Sequence, residues 1–212
     1  MVHFHIITLF PESIDPYLRS SILGRAREKK LVKVSYYDPK KFAVGKHKRV
    51  DQRPYGGGPG MVLEPTAMLR ASAKAIGKRK GVEKIFFATD GEQFDEAMAK
   101  KLSKKKDILL ISGRYEGVDA RVPKILKAKP VTVGPYVLTG GELPAAALVD
   151  AVARFVPGVL GKIGSLERSR VSSPEVYTRP ETLAWKKKKY KVPEVLRSGH
   201  HAKINEWKTK KS

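Results

Sequence analysis

The 212-residue chain contains no cysteine. That excludes disulfides, thiolate metal sites and a cysteine nucleophile, and it fits a reducing compartment. Acidic residues are scarce as well: 21 Asp and Glu stand against 43 Lys and Arg, a formal net charge of +22. Such an imbalance points to a polyanionic partner, most commonly nucleic acid. Part of the excess lies in short basic runs at 29–30, 78–80, 104–106 and 186–189, which also suit solvated helix ends and loops. Long apolar runs are missing, so no segment spans a bilayer. The opening VHFHIITLF is a short apolar strand stopped at Pro11. It has neither the basic start, the longer apolar core nor the cleavage site of a signal peptide. No Gly-x-Ser-x-Gly elbow occurs. His3, His5, His47, His200 and His201 follow no zinc-ligand spacing, so no metal set is read.

The chain is rich instead in glycine-bearing segments with polar residues built into them. They are RPYGGGPGM (53–61), SGRYEGVDARV (112–122) and VGPYVLTGGELPAAALVDAV (133–152). Glycine reaches backbone conformations closed to other residues and lets a ligand approach the main chain. Two of the segments directly follow apolar, strand-like runs, where α/β sheets bind ligands.

Strand-like stretches at 2–9, 32–37, 82–88, 107–112 and 131–133 alternate with helical patterns. The helices are expected at 13–29 (with a break near Gly24), 65–76, 94–102, 118–126 and 143–155. Such alternation predicts an α/β fold, a mainly parallel sheet with helices on both faces. Residues 1–161 read as the main domain. Residues 162–191 read as a basic linker of poor periodicity, and 192–212 as a short helical tail with Ser198 as an N-cap.

Each glycine segment has a plain reading beside a functional one. RPYGGGPGM lacks the Lys-Ser or Lys-Thr that a phosphate loop needs, since Met61-Val62 follows the glycines. It is either a flexible turn or a backbone slot for a flat base beside Asp51. In SGRYEGVDARV, Glu116 and Asp119 suit a cationic ligand group, with Arg114 able to pair with either. Asp119 equally suits capping the next helix while paired to Arg121. Arg154 ends an apolar helix, where a cation complements the dipole.

Taken together, ITLFPE (7–12), SILGRA (21–26), VDQRPYGGGPGM (50–61), SGRYEGVDARV, VGPYVLTGGELPA (133–145), RFVPGVLG (154–161), YTRP (177–180) and VPEVLRSGHH (192–201) resemble the bacterial tRNA (guanine-N1)-methyltransferases, the TrmD family of the SPOUT superfamily. The resemblance runs in order from residue 1 to about Trp207. It implies a trefoil knot closing the main domain and S-adenosylmethionine as methyl donor. The donor would be held by Phe86, Phe87, Ala88, Gly113, Tyr115, Glu116, Val133, Gly134, Tyr136, Leu138, Gly140, Gly141 and Pro144.

The implied product is 1-methylguanosine at tRNA position 37. Arg154 would act at the guanine O6, and Asp51, Gly60, Met61 and Ser169 would lie near the flipped base. A homodimer with shared active sites, contact with the tRNA anticodon arm, a cytoplasmic setting and no membrane association are implied too. Mg2+ is left open as an accompanying ion. The family's general base is an Asp followed by Ser-Phe. In this chain GSLERSRV (164–171) stands there, and Glu167 is the candidate base. The linker is shorter than in the family, the C-terminal helices beyond Trp207 are missing, and FFATDG (86–91) lacks a family proline. The missing Asp keeps a catalytically weak tRNA-binding relative as an alternative, and the short tail keeps a methyltransferase acting on another RNA.

Overall fold

Residues 1–45, 48–160 and 175–210 are described by a computed structural model. The chain divides into two compact units, Met1–Leu160 and Gly161–Ser212.

The first unit is built on strands that are largely apolar, with His3 and His5 set into the first and Asp107 opening its neighbour. β1 (Val2–Ile7) and β6 (Asp107–Ile111) are buried along their whole length. Runs of this kind suit the middle of a parallel sheet covered on both faces. They lie side by side in a five-stranded sheet of order β2-β1-β6-β5-β7, with β2 (Val32–Tyr37), β5 (Glu83–Gln93) and β7 (Lys129–Thr132). All of its pairings are parallel.

Each face carries its own core. On one, Phe4, Ile6 and Leu110 meet α1 (Asp15–Leu18), α2 (Ser21–Glu28), α4 (Glu96–Leu102) and α6 (Glu142–Ala153). On the other, Ile7, Leu109 and Ile111 meet α3 (Pro65–Ile76) and α5 (Arg121–Leu126). Every fully buried Leu, Ile or Phe contributes about 1.5–3 kcal/mol by leaving water.

Local chemistry sets the helix starts. Glu64 accepts from the amides of Thr66 and Ala67 at 2.7 and 2.6 Å, with Pro65 in the first turn. Asp95 accepts from the Met98 amide at 2.7 Å. The expected helix 13–29 is two helices, and the break is at Arg19–Ser20 rather than Gly24. Gly24 lies inside α2, where any Cβ would collide with the Arg19 carbonyl. The glycine there permits close packing and does not end the helix. The strand expected at 82–88 runs on to Gln93. A two-stranded ribbon, β3 (Asp51–Gln52) with β4 (Val62–Leu63), closes the loop before α3.

In the second unit, part of the stretch read as linker is a hairpin, β8 (Thr182–Trp185) with β9 (Lys188–Lys191). Its turn residues Lys186 and Lys187 both have positive φ, 46° and 63°, the twist a two-residue hairpin loop requires. Two helices follow, α7 (Glu194–Arg197) and α8 (His201–Lys210). Ser198 accepts from the His200 amide at 3.2 Å, just ahead of α8, and closes α7 as its C-cap residue. Among the described residues, no helix is long and apolar enough to cross a membrane.

Candidate functional site

Three loops meet beyond the carboxyl ends of β5, β6 and β7. The first is an excursion within β5. Its register against β7 shifts between Phe87 and Glu92, which throws residues 88–91 out of the ladder. Gly91 makes the return possible, because a Cβ there would lie 2.7 Å from the Pro130 carbonyl carbon. A bulge of this sort re-aims the chain at a sheet end.

The second loop follows β6. Tyr115 takes φ 59° and Gly117 φ 122°, and the Gly117 amide bonds back to the Arg114 carbonyl at 3.0 Å. This turn is stitched to the GGGPGM loop by main-chain bonds. The Glu116 amide donates to the Met61 carbonyl at 2.9 Å, the Leu63 amide to Gly117 at 2.9 Å and the Asp119 amide to Leu63 at 3.0 Å. Gly60 has φ 80°, and its missing Cβ is where the Glu116 carboxylate rests. Gly60 and Met61 therefore adjoin Glu116.

The third loop runs from β7 to α6. The Tyr136 ring covers Gly134. The Gly141 amide donates to the Gly113 carbonyl at 2.9 Å, and the Ser112 hydroxyl donates to the Gly141 carbonyl at 3.1 Å. A Cβ on Gly141 would sit 2.6 Å from the Ser112 Cα and 2.9 Å from the Gly113 nitrogen.

A buried ion pair pins the second loop to the third. Glu142, 2 % exposed at the start of α6, accepts from the Thr8 hydroxyl at 2.7 Å. The Arg114 Nε lies 2.9 Å from its other oxygen, and the Arg114 guanidinium sits 4.8 Å over the Phe10 ring. Arg114 thus pairs with Glu142, not with Glu116 or Asp119. Asp119 accepts from the Arg121 amide at 2.9 Å and pairs with the Arg121 guanidinium at 2.7 Å, its capping reading. Those bonds draw its pKa below the usual value against a smaller opposing effect of burial.

The loops enclose a cleft of about 460 Å³, within the range of small-molecule sites. Phe86, Phe87 and Ala88 line it from the first loop, and Gly113, Tyr115 and Glu116 from the second. Val133, Tyr136, Leu138, Gly140, Gly141 and Pro144 line it from the third. Of the residues expected to hold a donor, Gly134 alone is off the wall, beneath Tyr136. Thr89, Asp90, Val137 and Thr139 also line the cleft and were not singled out from sequence, and Arg114, expected only as an ion-pair partner, lines it too. They flank the chosen residues within the same motifs, and that adjacency was the available signal.

The remaining expected residues are placed elsewhere. Asp51 pairs with Leu63 in the β3–β4 ribbon. Gly56, Gly57 and Gly58 all have positive φ with open space around them, so the GGGPGM turn depends on glycine. Arg154 caps the carboxyl end of α6, whereas Gly141 and Pro144 at the other end line the cleft. At 1.5 Å per residue the helix separates Arg154 from Gly141 by about 20 Å. Glu167 and Ser169 lie outside the described residues.

A family model described as tRNA (Guanine-1)-methyltransferase TrmD matches residues 2–212. The tRNA (guanine-N(1)-)-methyltransferase of Clostridioides difficile strain 630 is 39 % identical over 217 residues, covering 100 % of this chain and 92 % of the relative. The proteins of that name from Porphyromonas gingivalis and Mannheimia succiniciproducens are 40 % and 43 % identical. They cover 96 % and 98 % of this chain, and 90 % and 82 % of their own length is matched.

Proposed function

The chain belongs to the TrmD family of tRNA (guanine-1)-methyltransferases, and we propose that it methylates N1 of guanosine 37 in tRNA, beside the anticodon, with a guanosine required just before it. The observation that carries this reading is the meeting of the three glycine loops on one cleft, with the GGGPGM loop bonded to its rim. Identity over nearly the whole chain favours an enzyme of this type over a non-catalytic tRNA-binding relative or a methyltransferase on another RNA.

S-adenosylmethionine, the donor the family implies, supplies an electrophilic methyl group on a sulfonium when bound. The cleft suits it: Phe86, Phe87 and Leu138 offer apolar surface for a flat base, and Glu116 offers negative charge to a cationic centre. Backbone held by Gly113, Gly140 and Gly141 would fix its orientation. Asp90 and Glu116 are the cleft carboxylates through which a Mg2+ ion would join.

Guanine N1 carries a proton at neutral pH, so a base must take it as the methyl group arrives. Glu167 is proposed for that role, with a reach one methylene longer than the family's Asp. Arg154 would hold the charge that develops on O6. Asp51, Gly60, Met61 and Ser169 would receive the extruded base, since N1 is inaccessible in a stacked nucleotide. The basic second unit would grip the anticodon arm through phosphates. Work on tRNA would place the protein in the cytoplasm.

Two further parts of the reading draw on geometry. The chain after β7, at the sheet edge, passes beyond β5 to bond with residues following β6, a path that supports the trefoil knot. The distance between Arg154 and its own cleft supports a homodimer in which each site takes Arg154 from the second copy. Leu143 on α6 is 60 % exposed, apolar surface such a contact would cover.

Labelled donor offered to two tRNA transcripts tests the reaction, one with guanosine at position 37 and one with adenosine. Label in the guanosine transcript alone is expected; label in both, or in neither while the donor binds, contradicts it. Glu167→Gln should lower turnover about 100-fold or more, and unchanged turnover would remove Glu167 as the base. Mixing Arg154→Ala with a donor-dead Gly141→Val chain should restore about a quarter of wild-type activity through mixed dimers. No restoration would count against shared sites.

A further inference from the structure

At the end of the sheet opposite the cleft, a cluster of buried polar side chains plays no part in the proposed reaction. His3 and His5 alternate on one face of β1, and Asp107 opens β6 as the register partner of His3. Parallel register partners project to the same face, so the three side chains converge. They are 7 %, 0 % and 7 % exposed.

We propose that His3, His5 and Asp107 form a binding site for a first-row divalent cation, Zn2+ above all. The ligand atoms lie within 4.8 Å of one another. His5 Nε2 is 2.9 Å and His3 Nδ1 is 3.7 Å from the same Asp107 oxygen. Tetrahedral Zn2+ with bonds of about 2.0–2.1 Å sets its ligand atoms about 3.3 Å apart, between those two values.

The outward nitrogen of each ring already has an oxygen partner. His3 Nε2 meets the Ser35 hydroxyl at 2.9 Å, and His5 Nδ1 meets the Tyr37 hydroxyl at 3.2 Å. Metal-ligating histidines are oriented through their second nitrogen in just this way. Burial pushes the His3 imidazole down to about 4, and it lowers His5 against the opposing pull of Asp107. Both rings are therefore neutral at pH 7, with lone pairs to give.

A guanidinium competes for the carboxylate. Arg79 Nε lies 3.2 Å from the same Asp107 oxygen, and its side chain is 40 % exposed. Coordination would exchange this contact for the metal and leave Arg79 on the Ala75 and Ile76 carbonyls, to which its Nη1 donates at 3.1 and 3.3 Å. The cation would then tie the amino ends of the two central strands, β1 and β6.

The test uses the full chain, stripped with EDTA and titrated with Co2+ and then Zn2+. One equivalent of Co2+ should bind with tetrahedral ligand-field absorption and be displaced by Zn2+. Zn2+ at about 100 times its Kd should raise Tm by about 5–10 °C. His3→Gln and His5→Gln should each weaken binding about 100-fold, while His200→Gln with His201→Gln should leave it unchanged. Arg79→Ala, which also removes the bonds from Arg79 to the Ala75 and Ile76 carbonyls at the end of α3, should tighten binding several-fold by freeing Asp107. The proposal is overturned if cooperatively melting wild-type protein takes up no stoichiometric Co2+. It is also overturned if binding survives both strand variants, or if Arg79→Ala weakens it.

Discussion

The carboxyl ends of β5 and β6 and the amino ends of β1 and β6 belong to one sheet but are made of different material. The carboxyl end is shaped by main chain. Gly91, Gly140 and Gly141 let strands and loops approach where a Cβ would collide, and loop-to-loop amide bonds set the walls. The amino end is shaped by side chains, with two imidazoles and a carboxylate packed among apolar strands. A backbone-walled cleft tolerates changed side chains along its rim and no added bulk at its glycines. A side-chain cluster has the opposite sensitivity.

The largest effect is expected at a residue in neither place. Arg154→Ala should cut kcat about 100- to 1,000-fold, the scale of losing a donor to a developing oxyanion, with donor Kd within about twofold. Equal losses in both would remove its assigned role. Next comes Gly141→Val, which puts bulk against Ser112 and Gly113 and should weaken donor binding about 100-fold in a titration. Glu116→Gln, which removes charge but keeps shape, should cost about tenfold in donor affinity. A tenfold cost that also vanished in high salt would place that charge in solvent and not at the donor. At the amino end, His5→Gln should leave methyl transfer within about twofold. It should lower unfolding stability by about 1–3 kcal/mol through the disturbed bond to Asp107. A large loss of turnover there would dissolve the contrast between the two ends.

Much of this was legible in the chain. The largely apolar runs of β1 and β6 announce central parallel strands, and Pro65 announces the start of α3. Two of the three glycine motifs, at 112–122 and 133–152, named two walls of the cleft, because a ligand site made of backbone needs glycine at fixed places in sequence, while the wall at 86–88 came from the family resemblance. Partnerships across long separations were not legible. Arg114 with Glu142, and Asp107 with the two strand histidines, are set by sheet order and register, which no local pattern encodes. The break at Arg19–Ser20 hid because Gly24 looked the better breaker, yet tertiary packing against the Arg19 carbonyl is what selects that glycine. The β8–β9 hairpin hid behind lysines at a turn where Asn-Gly is the usual signal.

Titration of S-adenosylhomocysteine into the wild-type chain, Gly141→Val and Leu138→Trp tests the central claim most directly. Leu138 is a 37 % exposed lining residue, so its variant should keep the fold while filling the cleft. A donor site walled by the three loops predicts one site per chain in the wild type and loss of binding in both variants. Undiminished binding in the folded Leu138→Trp protein would place the donor elsewhere and contradict it.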